Sequence, residues 1–325
     1  MLNNKLSTKS AELILEAALE KGIKVKIISR RLNLMKLTNN GKSVFIKGTS
    51  MPVNAQPSCF IANNKFLTKL ILRSEKISVP KSWLVRTPKE AKRQVLKKNL
   101  FPCVLKPAKG AHGNKVFAKI ESFEEFCELL PLIFTRKGKK DVLIEEFIDG
   151  KDYRFLVVGN KVSAVMERVP ACVIGNGKLT IRQLISQFNK QPMVGKKYEK
   201  PMCKIKLNGE VKRTLKKQGR KLTYVPWNGE RVGLRQNANI STGGIGKDAT
   251  NEVNKDLKDL AVRAAEAIGM SITGVDILYD ALSDRAYVVE LNDCPGIDIH
   301  HYPVIGKPRD VASDVIDLLF REGIG

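Results

Sequence analysis

The chain has 325 residues, of which 43% are hydrophobic, so it can bury a sizeable core, and a wholly disordered chain is excluded. Its 57 Lys and Arg outnumber its 33 Asp and Glu, and the net charge of +24 favours anionic partners such as nucleotides, acidic substrates or nucleic acid. Because only 6% of the residues are aromatic and no RNP, zinc-finger or basic-zipper pattern is present, nucleic acid is disfavoured as a partner.

The first 60 or so residues predict a small helix-plus-sheet module. A helix capped by Ser7 or Thr8 is expected to run to about Lys21, and an alternating strand follows. The dipeptide Asn40-Gly41 lies between two further apolar runs and predicts a tight hairpin, since both residues tolerate positive φ. A Pro-containing loop at 49–58 is expected to close the module.

The middle of the chain alternates helical and strand patterns. Thr87 and Glu90 flank Pro88 as a capping box, and Ser122 with Glu125 forms another. In chain order, the patterns predict a helix at 63–74, a helix from Pro88, a strand at 101–107, its hairpin partner at 115–120, a helix at 123–134 and a strand at 141–147.

The last part of the chain contains a predicted hairpin, a polar stretch and two further predicted strands. Alternation on both sides of Gly159-Asn160 predicts a hairpin from Asp152 to Arg168. In chain order, a helix from Thr180, a basic, loop-rich stretch at 190–237, a helix at 251–268, strands at 272–280 and 285–293, and a final helix to Phe320 are then expected.

No sequence feature indicates secretion or membrane insertion. The N-terminus has no apolar segment followed by a cleavage site, and no run approaches the roughly 18 apolar residues of a spanning helix. The six cysteines form no CxxC pair. We therefore expect a cytoplasmic protein with reduced thiols and no membrane partner.

A basic strand followed by glycines is the most informative motif. The strand delivers Lys106, and the loop after it contains Gly110 and Gly113 before the chain returns. Glycines let backbone N–H groups approach phosphate oxygens, and a fixed lysine adds positive charge, so the motif is typical of a phosphate cover. It is not a Walker loop, since no Gly-Lys-Ser/Thr and no helix follow. The alternative is an ordinary turn.

Two neighbouring strands near the C-terminus carry oxygen ligands. Asp276 interrupts one apolar strand, and Glu290 and Asn292 lie two positions apart on the next. Mg²⁺ bound to nucleotide phosphates is typically held by one or two carboxylates. The alternative, a polar strand end in solvent, fits poorly because buried carboxylates need a cation or hydrogen bonds.

A third segment, 234–244, combines Arg, Asn, Ser, Thr and paired glycines without apolar periodicity. Such a composition suits recognition of anions or carboxylates. A plain surface loop is the alternative that composition leaves open.

The order of these segments resembles the ATP-grasp ligases. The similarity spans roughly residues 60 to 325 and is greatest to the ligase module of cyanophycin synthetase and the glutathione-forming module of bifunctional glutathione synthetases. It rests on the Lys106 strand and loop, on IEEFIDGKDYR (144–154), on 167–185, on 199–207, on LRQNANISTGG (234–244) and on GVD with VELNDCPG (289–296).

The resemblance implies an α+β, ATP-grasp fold in which a small N-terminal α/β domain (1–62) precedes an ATP-grasp domain (63–325) with its lid at about 95–148. Two α+β lobes would clasp ATP between them. The implied activity is ATP-dependent ligation: a substrate carboxylate attacks the γ-phosphate to give an acylphosphate, and an amine then displaces phosphate. Positioning and charge neutralisation would carry this chemistry, without a protein nucleophile.

The resemblance also implies residue roles. ATP would be bound by Lys65, Lys69, Lys106, Gly110 and Gly113 at the phosphates, by Glu145, Glu146, Phe147 and Ile148 at adenine and by Asp152 at the ribose. The metal ligands would be Asp276, Glu290 and Asn292, holding Mg²⁺ with Mn²⁺ as an alternative ion. Catalysis would involve Lys106, Arg235, Asn237 and Asn239, and the substrate would meet Arg154, Arg168, Ser241, Thr242, Gly243 and Gly244.

Two departures from the relatives narrow the expectation. D-alanine ligases have an Arg two residues before the metal Asp, where this chain has Gly274, so Arg235 is expected to replace that Arg. The additional catalytic domains of full cyanophycin synthetases and bifunctional glutathione synthetases are missing from this sequence, so a single type of addition is expected.

Amino acids or small peptides are the expected substrates, and the sequence leaves open whether the chain forms a homo-oligomer. The competing hypotheses are a basic nucleotide-binding module without ligase activity and a nucleic-acid-associated protein that uses the positive charge. The carboxylates among buried strands disfavour the first, and the scarcity of aromatic residues disfavours the second.

Overall fold

The computed structural model describes residues 6–110, 115–135, 141–195, 200 and 202–321. The helices in these ranges are α1 (Lys9–Glu20), α2 (Gln56–Ala62), α3 (Lys65–Ser74), α4 (Pro88–Lys98), α5 (Phe123–Ile133), α6 (Ile181–Asn189), α7 (Gly209–Lys217), α8 (Lys255–Ile268), α9 (Asp298–His301) and α10 (Val311–Phe320).

The strands in the same ranges are β1 (Lys24–Ser29), β2 (Leu34–Asn39), β3 (Lys42–Lys47), β4 (Ser82–Val85), β5 (Cys103–Pro107), β6 (Phe117–Ile120), β7 (Val142–Glu146), β8 (Lys151–Val158), β9 (Lys161–Val169), β10 (Cys172–Ile174), β11 (Val194–Gly195), β12 (Met202–Cys203), β13 (Arg231–Gly233), β14 (Ile245–Asp248), β15 (Ile272–Asp280) and β16 (Arg285–Asn292). A 3-10 turn spans Ile240–Thr242.

Polar residues begin several helices where the sequence predicts. The Thr87 hydroxyl accepts a hydrogen bond from the backbone N–H of Glu90 at 3.1 Å. Thr8 caps α1 in the same way, and Thr180 with Gln183 forms a full capping box at α6. Each cap satisfies a backbone N–H that has no partner inside the helix. The predicted starts of α1, α4 and α6 are therefore confirmed.

The N-terminal module is an antiparallel β1-β2-β3 sheet covered by α1. Asn40 and Gly41 have φ values of 46° and 78°, which confirms the predicted hairpin turn. Its buried residues do not form a core of their own. Ile14 and Leu37 belong to the same apolar cluster as Leu156 of β8 and Ile316 of α10. The module is thus built against the rest of the chain.

The next lobe is a four-stranded antiparallel sheet in the order β4-β7-β5-β6, packed on α4 and α5. It has a separate apolar cluster, which extends in sequence from Val85 to Ile144. We call this unit the lid lobe. Strand β6 lies at the edge of its sheet, and it follows the glycine-containing loop after Lys106.

A five-stranded antiparallel sheet in the order β14-β9-β8-β15-β16 forms the centre of the molecule. Helices α3 and α8 cover one face through a cluster that includes Phe155 and Val275. The N-terminal module and α10 cover the other face. The hairpin predicted from Asp152 to Arg168 is confirmed as β8-β9. The two strands predicted at 272–280 and 285–293 are also confirmed, and they pair as the β15-β16 hairpin.

The described residues between 171 and 234 form a further small unit with its own core, in which α6 and α7 pack on the β10-β13 pair. The prediction that 190–237 is mainly loop is wrong for α7, which Asn208 caps. The lysines on its exposed face make the segment polar overall, so composition does not reveal the helical spacing of the buried residues Val211 and Leu215. The prediction of a loop at 49–58 is also wrong at its end, because α2 begins at Gln56 and tolerates proline in its first turn.

No helix among the described residues is long and apolar enough to cross a membrane. All six cysteines are free of disulfide bonds.

Candidate active site

The candidate metal ligands lie together on one face of the β15-β16 hairpin. Asp276 is directly opposite Glu290 in the antiparallel register, and Gly274 is opposite Asn292. Residues that face each other across such a pair, and residues two apart on a strand, project to the same side. The amide of Asn292 donates to the Gly274 carbonyl at 3.2 Å, which fixes its orientation.

Two arginines from the neighbouring strands hold Asp276. Arg154 of β8 lies opposite Asp276 and donates to it through Nε and Nη2, while Arg168 of β9 donates through Nη2 at 2.9 Å. Arg168 also contacts Asp152 Oδ1 at 2.5 Å. Burial raises the pKa of Asp152, although Arg168 acts against that shift. The cluster therefore places two guanidinium groups between two carboxylates.

The position of Arg154 in this cluster requires a glycine at position 274. A Cβ at that position would lie 2.9 Å from the Arg154 side chain. The glycine therefore leaves room for a guanidinium that comes from β8 instead of β15.

Lys65 connects the metal strand with the glycine-containing loop. Its ammonium lies 3.0 Å from Glu290 Oε2 and donates to the Gly110 carbonyl at 2.7 Å. Burial alone would raise the pKa of Glu290, but Lys65, Lys106 and Arg154 outweigh it and lower that pKa to about 2. Glu290 is thus held as a carboxylate at any pH near neutrality.

Glu145 of β7 is shared by two buried lysines. Lys106 lies 2.8 Å from its Oε2 and Lys69 lies 3.3 Å from its Oε1. Lys69 is only 1% exposed, and burial lowers its pKa to about 8. The adenine role predicted for Glu145 and the phosphate role predicted for Lys69 stay predictions, since the two side chains pair with each other here.

The polar cluster opens into two neighbouring cavities that share Lys65, Gly110, Arg168, Asn239 and Glu290 as lining residues. The smaller has a volume of about 120 Å³ and reaches Lys106, Asp152 and Asp276. The larger, about 460 Å³, extends between the central sheet and the N-terminal module. The predicted residues that line one or both are Lys65, Lys106, Gly110, Asp152, Arg154, Arg168, Asn237, Asn239, Ser241, Asp276, Glu290 and Asn292.

The remaining predicted residues that the structure describes do not line these cavities: Lys69, Glu145, Glu146, Phe147, Ile148, Arg235, Thr242, Gly243 and Gly244. Gly113 lies outside the described residues. Glu146 accepts a hydrogen bond from the Lys81 backbone at 2.7 Å, and both residues line a third cavity in the lid lobe. Their roles stay predictions.

Arg235 is placed beside the cavities and not in them. Its Nη2 donates to Asn208 at 3.2 Å, and burial lowers its pKa. The glycines that follow shape the turn, because a Cβ at Gly243 would lie 2.5 Å from Ile205 and one at Gly244 would lie 2.7 Å from the Ala238 carbonyl. The position that Arg235 was expected to fill beside Asp276 is taken by Arg154 and Arg168.

The sequence did not point to the N-terminal side of the larger cavity. Asn33, Lys47 and Thr49 line it from the first module, and Asp293 and Cys294 line it from the end of β16. Asp293 and Cys294 directly follow the metal ligand Asn292, so their position in the sequence could have indicated a place at the site. The first three have no such signal, because only the core shared with α10 brings their module to the site.

The ligand chemistry of the β15-β16 face fits a divalent cation. The part of the chain that the structure describes contains no group of three or more His, Cys, Asp or Glu side chains that could hold a metal alone. Two carboxylates and an amide that line a polar cavity instead match the partial set that Mg²⁺ completes with water and phosphate oxygens.

The chain is similar to known proteins along almost its whole length. The chain is 36% identical over 320 residues to the glutathione biosynthesis bifunctional protein GshAB of Clostridium perfringens, covering 96% of this chain and 41% of that protein. It is 34% identical over 316 residues to cyanophycin synthetase of Trichormus variabilis, covering 96% of this chain and 35% of that protein. The chain thus spans less than half the length of these curated relatives.

Solved structures share the fold. A bifunctional glutathione synthetase from Pasteurella multocida matches with a TM-score of 0.69 and 29% identity, over 98% of this chain and 44% of that one. A D-alanine–D-alanine ligase from Bacillus anthracis matches with a TM-score of 0.52 and 16% identity, over 82% of this chain and 68% of that one, and supports the α+β ATP-grasp fold alone. The RimK-like ATP-grasp domain model matches residues 62–179 and 228–318, so the chain belongs to the RimK-like ATP-grasp family.

Proposed function

We propose that this chain is an ATP- and Mg²⁺-dependent ligase that joins a carboxylate of an amino acid or peptide to an amine through an acylphosphate. The observation that carries the proposal is the pair of neighbouring cavities in which Lys65, Lys106 and two arginines meet Asp276 and Glu290. Cations beside oxygen ligands are what phosphoryl transfer to a carboxylate requires. The named activities of the relatives support the same class of reaction.

Each step follows from the charges in the cavity. Lys65 and Lys106 bind the phosphates, and Arg154 and Arg168 hold the acceptor carboxylate near the γ-phosphorus. A carboxylate oxygen attacks that phosphorus and ADP leaves, which gives the acylphosphate. The amine then attacks the acyl carbon, phosphate leaves, and the amine loses a proton. The guanidinium groups stabilise the oxyanion of the second step.

Asp276, Glu290 and Asn292 would hold Mg²⁺. The ion, when bound, supplies charge neutralisation at the β- and γ-phosphates. Lys65 pairs with Glu290, and Arg154 and Arg168 pair with Asp276, so both buried carboxylates have basic partners.

ADP release with pooled amino acids and dipeptides tests the proposal, with the product identified by mass spectrometry. Glu290→Gln keeps the shape of the side chain but removes a metal ligand and the partner of Lys65, so we expect turnover to fall by about a hundredfold or more. Glu266→Gln, at an exposed position on α8, is the control. Equal turnover in both variants, or no substrate-dependent ADP release by the wild type, would reject the proposal.

Amino acids or small peptides remain the proposed substrate class, and a cytoplasmic location is proposed because the cysteines form no disulfide bonds. Neither the family match nor the relatives support the alternative of a nucleic-acid-associated protein without ligase activity.

A further inference from the structure

Helix α7 lies in a part of the chain that the family model does not match. The model covers 62–179 and 228–318, and the intervening segment contains α6 and α7. This segment has an apolar core of its own, together with β10 and β13. The family model therefore does not include this folded unit, and its contacts indicate what it does in this chain.

Arg213 and Lys217 of α7 contact the lid lobe. The Arg213 guanidinium lies 2.6 Å from Glu125 of α5, donates to the Ala118 carbonyl of β6 at 3.2 Å and stacks on Phe117 at 6.0 Å from the ring centroid. Lys217 lies 3.0 Å from the second oxygen of Glu125 and donates to the Lys119 carbonyl. The Arg213 and Glu125 side chains are 15% and 16% exposed, so water screens their pairing only partly.

These contacts fall on a weakly held strand. Strand β6 pairs with β5 only at Cys103↔Ile120 and Leu105↔Phe117, with an irregularity between the two pairs. Its other edge is the edge of the sheet. The cations of α7 therefore bind carbonyl groups of β6 from outside. Strand β6 follows Val116, which lines the smaller cavity together with Lys106 and Gly110.

The other end of α7 is fixed to the polar segment of the site. Asn208 caps the helix through the Val211 backbone N–H at 3.3 Å, and the same side-chain oxygen accepts from Arg235. Ile205 packs against Gly243. Between Arg235 and Gly243 lie Asn237 and Asn239, which line the cavities.

We propose that α7 is a strut that sets the distance between the lid lobe and the segment 235–244, and that Arg213 is a positioning residue for nucleotide binding. The helix is nine residues long, so it spans about 13 Å. The lid lobe would then hold the nucleotide and 235–244 would hold the substrate, and α7 would fix the distance between these two parts. This inference rests on the proposed function.

Edge protection of β6 is the competing explanation, because unpaired strand edges favour aggregation and are commonly covered. The two explanations differ in what they predict for folded protein. A cover alone would alter stability and solubility and leave nucleotide affinity unchanged. A strut would alter nucleotide affinity in variants that remain folded.

The variants weaken the contacts between α7 and the lid lobe. Arg213 also pairs with Glu210 of α7 at 2.8 Å, so a variant on the lid-lobe side is needed beside those of Arg213. Arg213→Ala removes every contact to the lid lobe from that side chain. Glu125→Gln removes the charge and the oxygen that accepts from Arg213, while its one remaining oxygen can keep the capping contact that Glu125 Oε2 makes with the Glu121 backbone at 3.0 Å. Arg213→Lys retains the charge but cannot donate to Glu125 and the carbonyl together. Lys216→Ala removes a charge from the exposed side of the same helix and is the matched control.

Calorimetric binding of MgADP is the first measurement, with circular dichroism as the check on folding. We expect Arg213→Ala to weaken binding by about tenfold, the effect of losing one charge-assisted interaction, with Arg213→Lys intermediate and Lys216→Ala unchanged. Glu125→Gln should weaken binding by a few fold. The double variant Arg213→Ala/Glu125→Gln should lose less affinity than the product of the two single losses, because the Arg213–Glu125 contact is counted in both while Lys217 contacts Glu125 independently.

Hydrogen exchange without nucleotide is the second measurement. Glu125→Gln should speed exchange in 235–244, at the far end of the strut, as well as in 117–125. If Arg213→Ala and Glu125→Gln bind MgADP within twofold of the control and leave exchange in 235–244 unchanged, α7 is only a cover. If Arg213→Ala does not fold, Glu125→Gln decides alone. Failure of the wild type to bind MgADP would reject the proposed function, while the exchange experiment would still test the strut.

Discussion

Lys65 and Lys69 lie one helical turn apart on α3, yet they occupy different environments. Lys65 lines both cavities and bridges Glu290 to Gly110. Lys69 is buried against Glu145, which keeps a second partner in Lys106. Helical spacing places both side chains on one face of α3, so only packing distinguishes them.

The first residue-scale prediction compares Lys65→Met with Lys69→Met. We expect Lys65→Met to weaken MgADP binding by about tenfold or more, because a charge in the cavity is lost. Lys69→Met should bind within about threefold of wild type, since Glu145 stays paired with Lys106. Titration calorimetry measures both. Equal losses in the two variants would return Lys69 to the binding site.

His300 is the second residue for which the structure gives a sharp expectation. It is 1% exposed, and within the described part of the chain neither ring nitrogen has a hydrogen-bond partner. Burial, and then the charge of Arg154, lower its pKa to about 3. The folded state thus keeps this ring neutral at pH values where the unfolded chain protonates it.

Stability should therefore fall as the pH drops from about 6.5 towards 3, because the unfolded state then binds one more proton than the folded state. The contribution of His300 is about 1.4 kcal/mol per pH unit within that window. His300→Leu removes the titrating group, so its free energy of unfolding should depend less steeply on pH. Urea denaturation at pH 7, 6, 5 and 4 measures the two slopes, and parallel slopes would contradict the assignment.

Residue types at the site are more predictable than residue partners. Asp276 and Glu290 stand out because each interrupts a run of Val, Ile and Leu. Arg154 and Arg168 carry no such signal, and their contacts with Asp276 depend on the register between strands β8, β9 and β15. The sequence consequently favours Arg235, because its motif comes shortly before the metal strands along the chain. In the structure Arg235 does not line the cavities.

At the scale of elements, the N-terminal sheet contains a like-charge pair. Lys26 of β1 is directly opposite Lys36 of β2, and the Lys36 ammonium lies 5.9 Å from the centroid of Phe45 on β3. Like charges that face each other across an antiparallel pair destabilise it. The neighbouring Lys24 faces Thr38 and has no such opponent.

Lys26→Glu should therefore stabilise the protein, while Lys24→Glu makes the same change of charge without relieving a repulsive pair. We expect the free energy of unfolding of Lys26→Glu to exceed that of Lys24→Glu by about 0.5–1 kcal/mol at low salt, with the difference shrinking in 0.5 M NaCl. Chemical denaturation at the two salt concentrations checks this. A difference of zero at low salt would mean that Lys26 and Lys36 do not interact.

Elements with a local signature are predictable from the sequence, and elements without one are not. Thr87 and Thr180 begin helices through side-chain contacts three residues away, and Asn40-Gly41 turns a hairpin by itself. Strand β4 has four residues and β14 has four, too few for a pattern to emerge. Both are strands only because β7 and β9 pair with them.

At the scale of the whole molecule, the apolar clusters do not follow the expected domain boundaries. The lid lobe has a cluster of its own, which includes Phe126. Leu37 of the first module instead shares a cluster with α10, at the other end of the chain. Whether residues 1–62 are a domain therefore depends on how far a local loss of packing spreads.

Leu37→Ala and Phe126→Ala, both at fully buried positions, measure that spread. Each should lower the free energy of unfolding by about 2–5 kcal/mol, from lost burial and the cavity left behind. In hydrogen exchange, Leu37→Ala should speed exchange in β1–β3 and also in α10, because one core holds them together. Phe126→Ala should speed exchange only within the lid lobe, which can open as a separate unit. If the effect of Leu37→Ala stopped at residue 62, the first module would fold on its own and the division into 1–62 and 63–325 would stand.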